Sequence, residues 1–375
     1  MRIAHTESSL DWGGQELRIV EQTEWLNKND HPAWIIARPG SAILREARQR
    51  GLPHHELNIR GSVNPRTLIE LKSFITHNRI DVLDCHGNRD STYGAILKWI
   101  TGTAVVRSRH VTDPVRSSPM RRLLWRYGNH RIIVTAGKIR DLLVASRLSD
   151  RHRIYVAAAG VDESRFHPNL DTQGLRRQLG IEQNETVIAN IGMIRPDKGQ
   201  IHFVRACRQL LQHSPRITCI QLGEATSQTE RYKQEVLAAC GEELASGRIR
   251  FLGYKPDIEN WLALTNIVVI ASIATEAQTR LVAQAFLMSK NIVATTTGGL
   301  PEMIEHQKTG LLCEPANPSA LAEQVQRLIN DPDLAAKLRE TAREHALQFM
   351  SMDFMMRGML EAYRAAAKQA GRGRD

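Results

Sequence analysis

The sequence predicts an α/β protein of two domains, each built on a doubly wound parallel sheet. Three observations predict it. Short apolar runs alternate with helical patterns along the whole chain, the signature of βαβ units. A length of 375 residues exceeds what one ordinary core supports. A polar segment follows Phe166-His167-Pro168-Asn169, after which a fresh helix (Gly174–Leu179) and strand begin.

In the first half, strands are expected near Ile3–His5, Ala33–Ala37, His55–Ile59, Val82–His86, Ala104–Arg107, Ile132–Thr135 and Ile154–Ala158. Helices such as Gln15–Asn27 and Pro65–His77 fill the gaps. In the second half, strands are expected near Val187–Ile191, Cys219–Leu222, Ile249–Gly253, Ile267–Ala271, Ile292–Thr295 and Gly310–Cys313. The chain from Pro332 to about Ala367 reads as helix, interrupted around Phe349–Asp353. The expected division is residues 1–168 and 169–352, with a final helix over about 353–369 returning to the first domain.

Composition narrows the partners. Hydrophobic content of 42% and charged content of 24% are globular values. A net charge of +10 points to an anionic partner: a phosphorylated substrate, an anionic membrane surface or nucleic acid. An aromatic content of 5% gives little material for stacking single-stranded bases, and the basic residues are dispersed, so no nucleic-acid partner is expected. Basic residues are denser at Arg116 to Arg126. There MRRLLWRYGNH (Met120–His130) sets arginines beside leucines and a tryptophan, a pattern suited to an anionic membrane surface or to an ordinary amphipathic helix.

The five cysteines lack CxxC spacing and fall in or beside apolar runs, which reads as buried thiols in a reducing compartment. No apolar run approaches the ~18 residues of a spanning helix. The N-terminus MRIAHTESSLDWGG has no apolar signal region. A cytoplasmic protein is expected, soluble or peripheral on the inner membrane.

The candidate site residues sit where strands end, the ligand-binding rim of an open parallel sheet. Gly13 and Gly14 lie between the first strand and first helix, where glycine permits either a tight turn or close approach of a ligand. His86 and His110 end neighbouring strands, and no zinc-type spacing of further ligands accompanies them. Arg195 and Lys198, in NIGMIRPDKGQ, are expected on one face of the first helical turn around Pro196. Two cations at a helix start oppose the macrodipole, a conflict of ~0.3–1 kcal/mol that a bound diphosphate would relieve. Glu276 occupies the loop after an apolar strand, before a helix expected over Thr279–Met288 that carries Gln284. A carboxylate beside free helix N–H groups suits a ligand that offers hydroxyls next to phosphates.

Taken together, these motifs resemble the retaining, nucleotide-sugar-dependent glycosyltransferases of family 4. The resemblance rests on the early Gly-Gly, His110 followed by Asp113, GVDESRFHP (Gly160–Pro168) and Arg195-x-x-Lys198-Gly199. It rests also on FLGY (Phe251–Tyr254), the region from Glu276, and GGLPEMI followed by TGLLCEP. It implies the GT-B architecture, two Rossmann-like doubly wound domains facing across a cleft, with the acceptor bound by the first and the sugar donor by the second.

It further implies that Arg195 and Lys198 bind the donor diphosphate and that Glu276 holds donor-sugar hydroxyls. Backbone N–H groups near Arg280, Leu281 and Val282 would meet the phosphates. Gln284 would face the ribose, and Tyr254 with its neighbours would frame the base. Gly13 and Gly14 would pass close to phosphates and sugar, and His110 would lie near the reacting carbon. Two departures stand out: Gln284 replaces the family's second glutamate, and Ala277-Gln278-Thr279 replaces Gly-Phe-Gly. Loss of a charge-assisted bond to the ribose implies weaker donor binding.

The expected activity is metal-independent transfer of a hexose from a UDP- or GDP-linked donor, with no cofactor. The expected acceptor is a cell-surface polysaccharide or lipopolysaccharide precursor, a glycan or lipid-linked molecule. The alternatives are a noncatalytic nucleotide-sugar-binding module and a GT-B epimerase or sugar-phosphate-acceptor transferase.

Overall fold

The computed structural model describes residues 1–371 except 61–62, 112–114, 116–117, 159, 215, 275 and 277–278. The chain forms two compact units, Met1–Ala159 with Asp353–Asp375, and Gly160–Met352. The division falls before the segment at which the sequence suggested it. Val161 and Phe166 are buried in the core of the second unit, so the Gly160–Pro168 phrase already belongs there.

Among the described residues the first unit holds seven parallel strands: β1 (Ile3–Glu7), β2 (Ala33–Ala37), β3 (His54–Glu56), β4 (Val82–Cys85), β5 (Ala104–Arg109), β6 (Arg131–Val134) and β7 (Ile154–Val156). Their order across the sheet is β3-β2-β1-β4-β5-β6-β7. The second holds six: β8 (Thr186–Ile191), β9 (Ile217–Leu222), β10 (Ile249–Phe251), β11 (Ile267–Ile270), β12 (Asn291–Thr295) and β13 (Leu311–Cys313). Their order is β10-β9-β8-β11-β12-β13. Both sheets reverse direction once, between β1 and β4 and between β8 and β11. That makes each unit Rossmann-like, with its ligand crevice expected at those strands' carboxyl ends.

Alternation along each strand explains why both faces are covered. In and beside β11, Ile267, Val269 and Ala271 enter one core, while Val268 and Ile270 enter the core that holds Val282 and Phe286. In β2, Ile36 enters one core, while Ile35 and Ala37 pack with Ile19 and Val20 on the other.

The strands depart from the expected ranges where the backbone turns. β3 stops at Glu56 although Leu57 and Ile59 are buried, because Ile59 N–H bonds Leu57 O instead of a neighbouring strand. β10 stops at Phe251 because Gly253 turns with φ of 71°.

The C-terminal helical stretch breaks as expected, into helices Pro332–Phe349 and Met352–Gln369. The latter lies within the first unit, where Trp25 Nε1 donates to Asp353 at 2.7 Å and the Tyr363 hydroxyl donates to Asp84 at 2.7 Å. All five cysteines are free and buried. Among the described residues, no helix is long and apolar enough to cross a membrane.

Candidate functional site

In the second unit, the loops after β8 and β11 are locked together by backbone. After β8 the chain passes through an extended Arg195, a 3-10 turn at Pro196–Lys198 and a left-handed Gly199, and only then enters helix Gln200–His213. A Cβ on Gly199 would sit 2.0 Å from Ala271 O, so glycine is required by both φ and contact. Ile273 N–H donates to Asp197 O at 2.9 Å.

This clamp delivers the Lys198 ammonium to the Glu276 carboxylate at 2.6 Å, and the Ser272 hydroxyl donates to the same oxygen at 2.8 Å. Glu276 is buried. Behind it, Gly298 is left-handed, with a Cβ position 2.1 Å from Glu276 O, and Gly299 N–H donates to that carbonyl at 2.6 Å. Thr295 and Thr297 hydroxyls donate to Ser272 O at 2.6 and 2.8 Å. The Gly-Gly of GGLPEMI therefore shapes the seat of Glu276.

The helical turn expected around Pro196 is a 3-10 turn ahead of the longer helix. Arg195 and Lys198 both precede that helix, and each cation has its own carboxylate: Arg195 donates to both oxygens of Asp197 at 2.9 and 3.0 Å. The conflict with the helix dipole is met by Asp197 and Glu276 within the protein itself.

Helix Arg280–Leu287 starts one residue later than expected. Thr279 Oγ1 accepts from Leu281 N–H at 3.3 Å, and Val282 N–H reaches Thr279 O at 3.4 Å. The side chains of Leu281 and Val282 are core, so only their backbone faces the loop. Arg280 and Gln284 are half-buried on the same helix. Tyr254 is 68% exposed, so its ring is available to a ligand.

The first unit gathers Gly13, Gly14 and His110 at the ends of β1 and β5. Gly13 is extended at φ of −159°, Gly14 opens helix Gly14–Lys28, and a Cβ on Gly14 would meet nothing within 4 Å. The fold leaves open space at Gly14, whereas a Cβ on Gly13 would crowd a Glu16 carboxylate oxygen at 3.3 Å. Gln15 and His110 help line one cavity of about 170 Å³, below the ~300–1,000 Å³ of pockets that take whole drug-sized ligands.

Sequence placed His86 and His110 on one rim, and the structure bonds them directly. His86 Nδ1 lies 3.0 Å from His110 Nε2, and His86 Nε2 lies 3.1 Å from His5 Nδ1. Asp84 Oδ2 sits 3.7 Å from His5 Nδ1 and 3.6 Å from His86 Nε2. Asp84 also accepts the hydroxyls of Ser108 and Tyr363 at 2.8 and 2.7 Å. Burial drives His5 and His86 down to about 3, and burial with the nearby Arg18 charge holds His110 well below the usual histidine range. All three imidazoles are neutral at pH 7.

His5, Asp84 and His86 lie close enough for one cation to bridge them. Arg18 already sets a positive charge near Asp84. His5, Asp84 and Tyr363 were invisible to motif reasoning because they occupy strand interiors and a distant helix. Asp113, Ala277 and Gln278 lie outside the described residues. The sequence's Asp-x-Asp, Asp331-Pro332-Asp333, is a helix start: Asp331 accepts Leu334 N–H at 2.9 Å.

With this geometry in place, comparison with known proteins defines the class. Residues 12–165 match the family description "Glycosyltransferase Family 4", and residues 171–345 match "Glycosyl transferases group 1". The two halves of the chain thus each match a glycosyltransferase domain.

A D-inositol 3-phosphate glycosyltransferase of Corynebacterium jeikeium is 32% identical over 202 residues, 52% of this chain and 48% of that enzyme. The matched stretch thus spans about half the length of that relative. A glycosyltransferase from Rickettsia africae superposes with a TM-score of 0.84 at 22% identity, covering 98% of both chains. HepE of Anabaena, crystallised with UDP, superposes with a TM-score of 0.82 at 22% identity, covering 96% of this chain and 99% of that one. At such identities the two structures bear on the fold alone.

Proposed function

We propose that the chain is a retaining, metal-independent hexosyltransferase that uses a UDP- or GDP-linked sugar donor. The observation that carries this reading is the meeting of Lys198 and Glu276 at the ends of β8 and β11, the strands flanking the sheet's reversal point. The UDP in the Anabaena structure supports a uridine donor as the first to test.

In this reading Glu276 exchanges Lys198 for donor-sugar hydroxyls, and Lys198 and Arg195 turn to the diphosphate. Leu281 and Val282 N–H groups, at a helix start, add partial positive charge. These groups stabilise the charge that grows on the departing diphosphate, preorganised electrostatics of the kind that accounts for most of the rate gain in many enzymes. Gln284 meets the ribose and Tyr254 the base. The acceptor hydroxyl attacks from the leaving-group face, and a phosphate oxygen takes its proton.

The proposed acceptor is a lipid-linked polysaccharide or lipopolysaccharide precursor at an anionic membrane. Helix Pro119–Tyr127 supports that contact: Met120, Leu123 and Tyr127 are exposed beside exposed Arg121, Arg122 and Arg126. A phosphorylated soluble acceptor is the second reading. A cavity of about 540 Å³ in the first unit is lined by Arg38, Arg89, Ser8 and Ser9 with Asp11, Leu10 and Asn88, and the buried Arg38 Nε has no hydrogen-bond partner among the described residues.

A thermal-shift panel of nucleotide sugars tests the donor, because a ligand that binds the folded state raises its stability by mass action. Arg195→Ala and Lys198→Ala should each abolish the shift, and a full shift in both variants rejects the diphosphate assignment. Sedimentation with anionic vesicles, set against turnover on free sugar phosphates, separates the two acceptor readings.

A further inference from the structure

Asp84, His5, His86 and His110 form one continuous chain from the buried interior of the first sheet to its rim. Binding a sugar at His110 would not by itself require two more buried histidines and a buried carboxylate. Their arrangement has a definite consequence for protons.

A neutral imidazole carries one N–H and one lone pair, so each link in a histidine chain dictates the next. Asp84, with Oδ2 within 3.7 Å of both nitrogens of the His5–His86 link, disfavours two bare lone pairs facing each other there. Two N–H groups facing each other at 3.1 Å would both go unsatisfied, because Asp84 Oδ2 lies beyond hydrogen-bond distance of each nitrogen, and that leaves two settings. In one, His5 Nδ1–H donates to His86 Nε2, His86 Nδ1–H donates to His110 Nε2, and His110 keeps its proton on Nδ1. In the other, every proton sits on the opposite nitrogen.

The far end of the chain chooses between them. His5 Nε2 is buried and has no hydrogen-bond partner among the described residues. The first setting leaves a bare lone pair there, and the second leaves a buried N–H. Orphaned buried N–H groups are the rarer and less tolerated of the two.

We propose that His5 and Asp84, acting through His86, lock His110 in its Nδ1–H form, so that the ring presents a hydrogen-bond donor beside its cavity and not a proton acceptor. His5, Asp84 and His86 are positioning residues. The use of that N–H on a sugar oxygen rests on the transfer reading above, whereas the tautomer itself does not.

Long-range ¹H–¹⁵N correlation spectra of [¹⁵N]histidine-labelled full-length protein at neutral pH read each tautomer directly, with peaks assigned by His86→Gln and His110→Gln. His86 and His110 should both be Nδ1–H. In His5→Phe the first donor is gone, so His86 turns its N–H toward Asp84 and His110 becomes Nε2–H. His5→Asn, whose amide N–H can stand in for the lost one, keeps the wild-type pattern.

If His5→Phe does not fold, the wild-type spectrum alone decides. An Nε2–H His110 in the wild type, an unchanged pattern in folded His5→Phe, or stoichiometric metal on the purified protein with metal-shifted His5 and His86 resonances would each overturn the proposal. With a turning-over donor and acceptor, His5→Phe should lower kcat by up to roughly tenfold, one hydrogen bond's worth, at unchanged donor KM. Failure of the wild type to turn over sinks the transfer reading and leaves the tautomer result standing.

Discussion

The two strand-end clusters occupy equivalent places in two sheets of the same winding, yet their electrostatics are opposite. At β8 and β11 the groups are charged and paired, Lys198 with Glu276 and Arg195 with Asp197. At β1, β4 and β5 they are neutral imidazoles around one buried carboxylate. A shared topology supplies a crevice but not its chemistry. Charge suits a ligand that is itself a dianion, and a neutral relay suits hydroxyls that must be oriented without being ionised.

The sharpest test of the charged side is Lys198→Ala. It should cut turnover by about 10²–10³, the loss seen when one preorganised group is removed from a developing charge. It should also destabilise the unliganded second unit by ~1–3 kcal/mol, because a buried carboxylate loses a partner. Arg195→Ala should match it in lost nucleotide-sugar shift but cost under ~1 kcal/mol in urea denaturation, since its pair with Asp197 is exposed. Equal stability losses would erase the distinction between the two pairs.

On the neutral side, Tyr363→Phe should destabilise the protein by ~1–3 kcal/mol, by removing a hydroxyl donor from buried Asp84. The pH dependence has a definite sign. Histidines whose folded pKa lies far below 6.5 gain protons only in the unfolded chain, so their stability is present above that value and drains away as pH falls through it. Each should contribute about 1 kcal/mol of loss between pH 6.5 and 5.5. Glu7, raised to about 7 chiefly by burial, works in the opposite sense over the same window. His86→Gln should flatten the slope by one histidine's share in urea titrations at the two pH values.

The smallest effect expected is Gln284→Glu. A charge-assisted bond in place of a neutral one should tighten donor binding by up to ~10-fold, read by titration calorimetry.

What could be read beforehand follows from how local each signal is. Most strands among the described residues were legible because each is a short apolar run flanked by turn residues, whereas β3 (His54–Glu56) was placed only through the apolar Leu57 and Ile59 beyond its end; Pro65–His77 matched its observed start because Asn64 and Pro65 mark it. Lys198 and Glu276 were legible as residues, but their contact was not: they are 78 positions apart and meet only through Gly199 and Ala271. The helical turn at Pro196 was legible, but not that a left-handed Gly199 separates it from the longer helix. His5 and Asp84 were hidden because nothing in IAHTE or VLDC distinguishes a polar residue inside a strand from one at its edge. Only the third dimension reveals that they meet Tyr363.

That last contact carries a consequence for biosynthesis. Asp84 is satisfied by a hydroxyl 279 residues further along, on a helix made after the whole second unit. A ribosome reaching the middle of the message has exposed every strand of the first sheet but not the helix that completes it. The earlier-made unit must wait, half-finished and open to chaperones, while the later one is already whole.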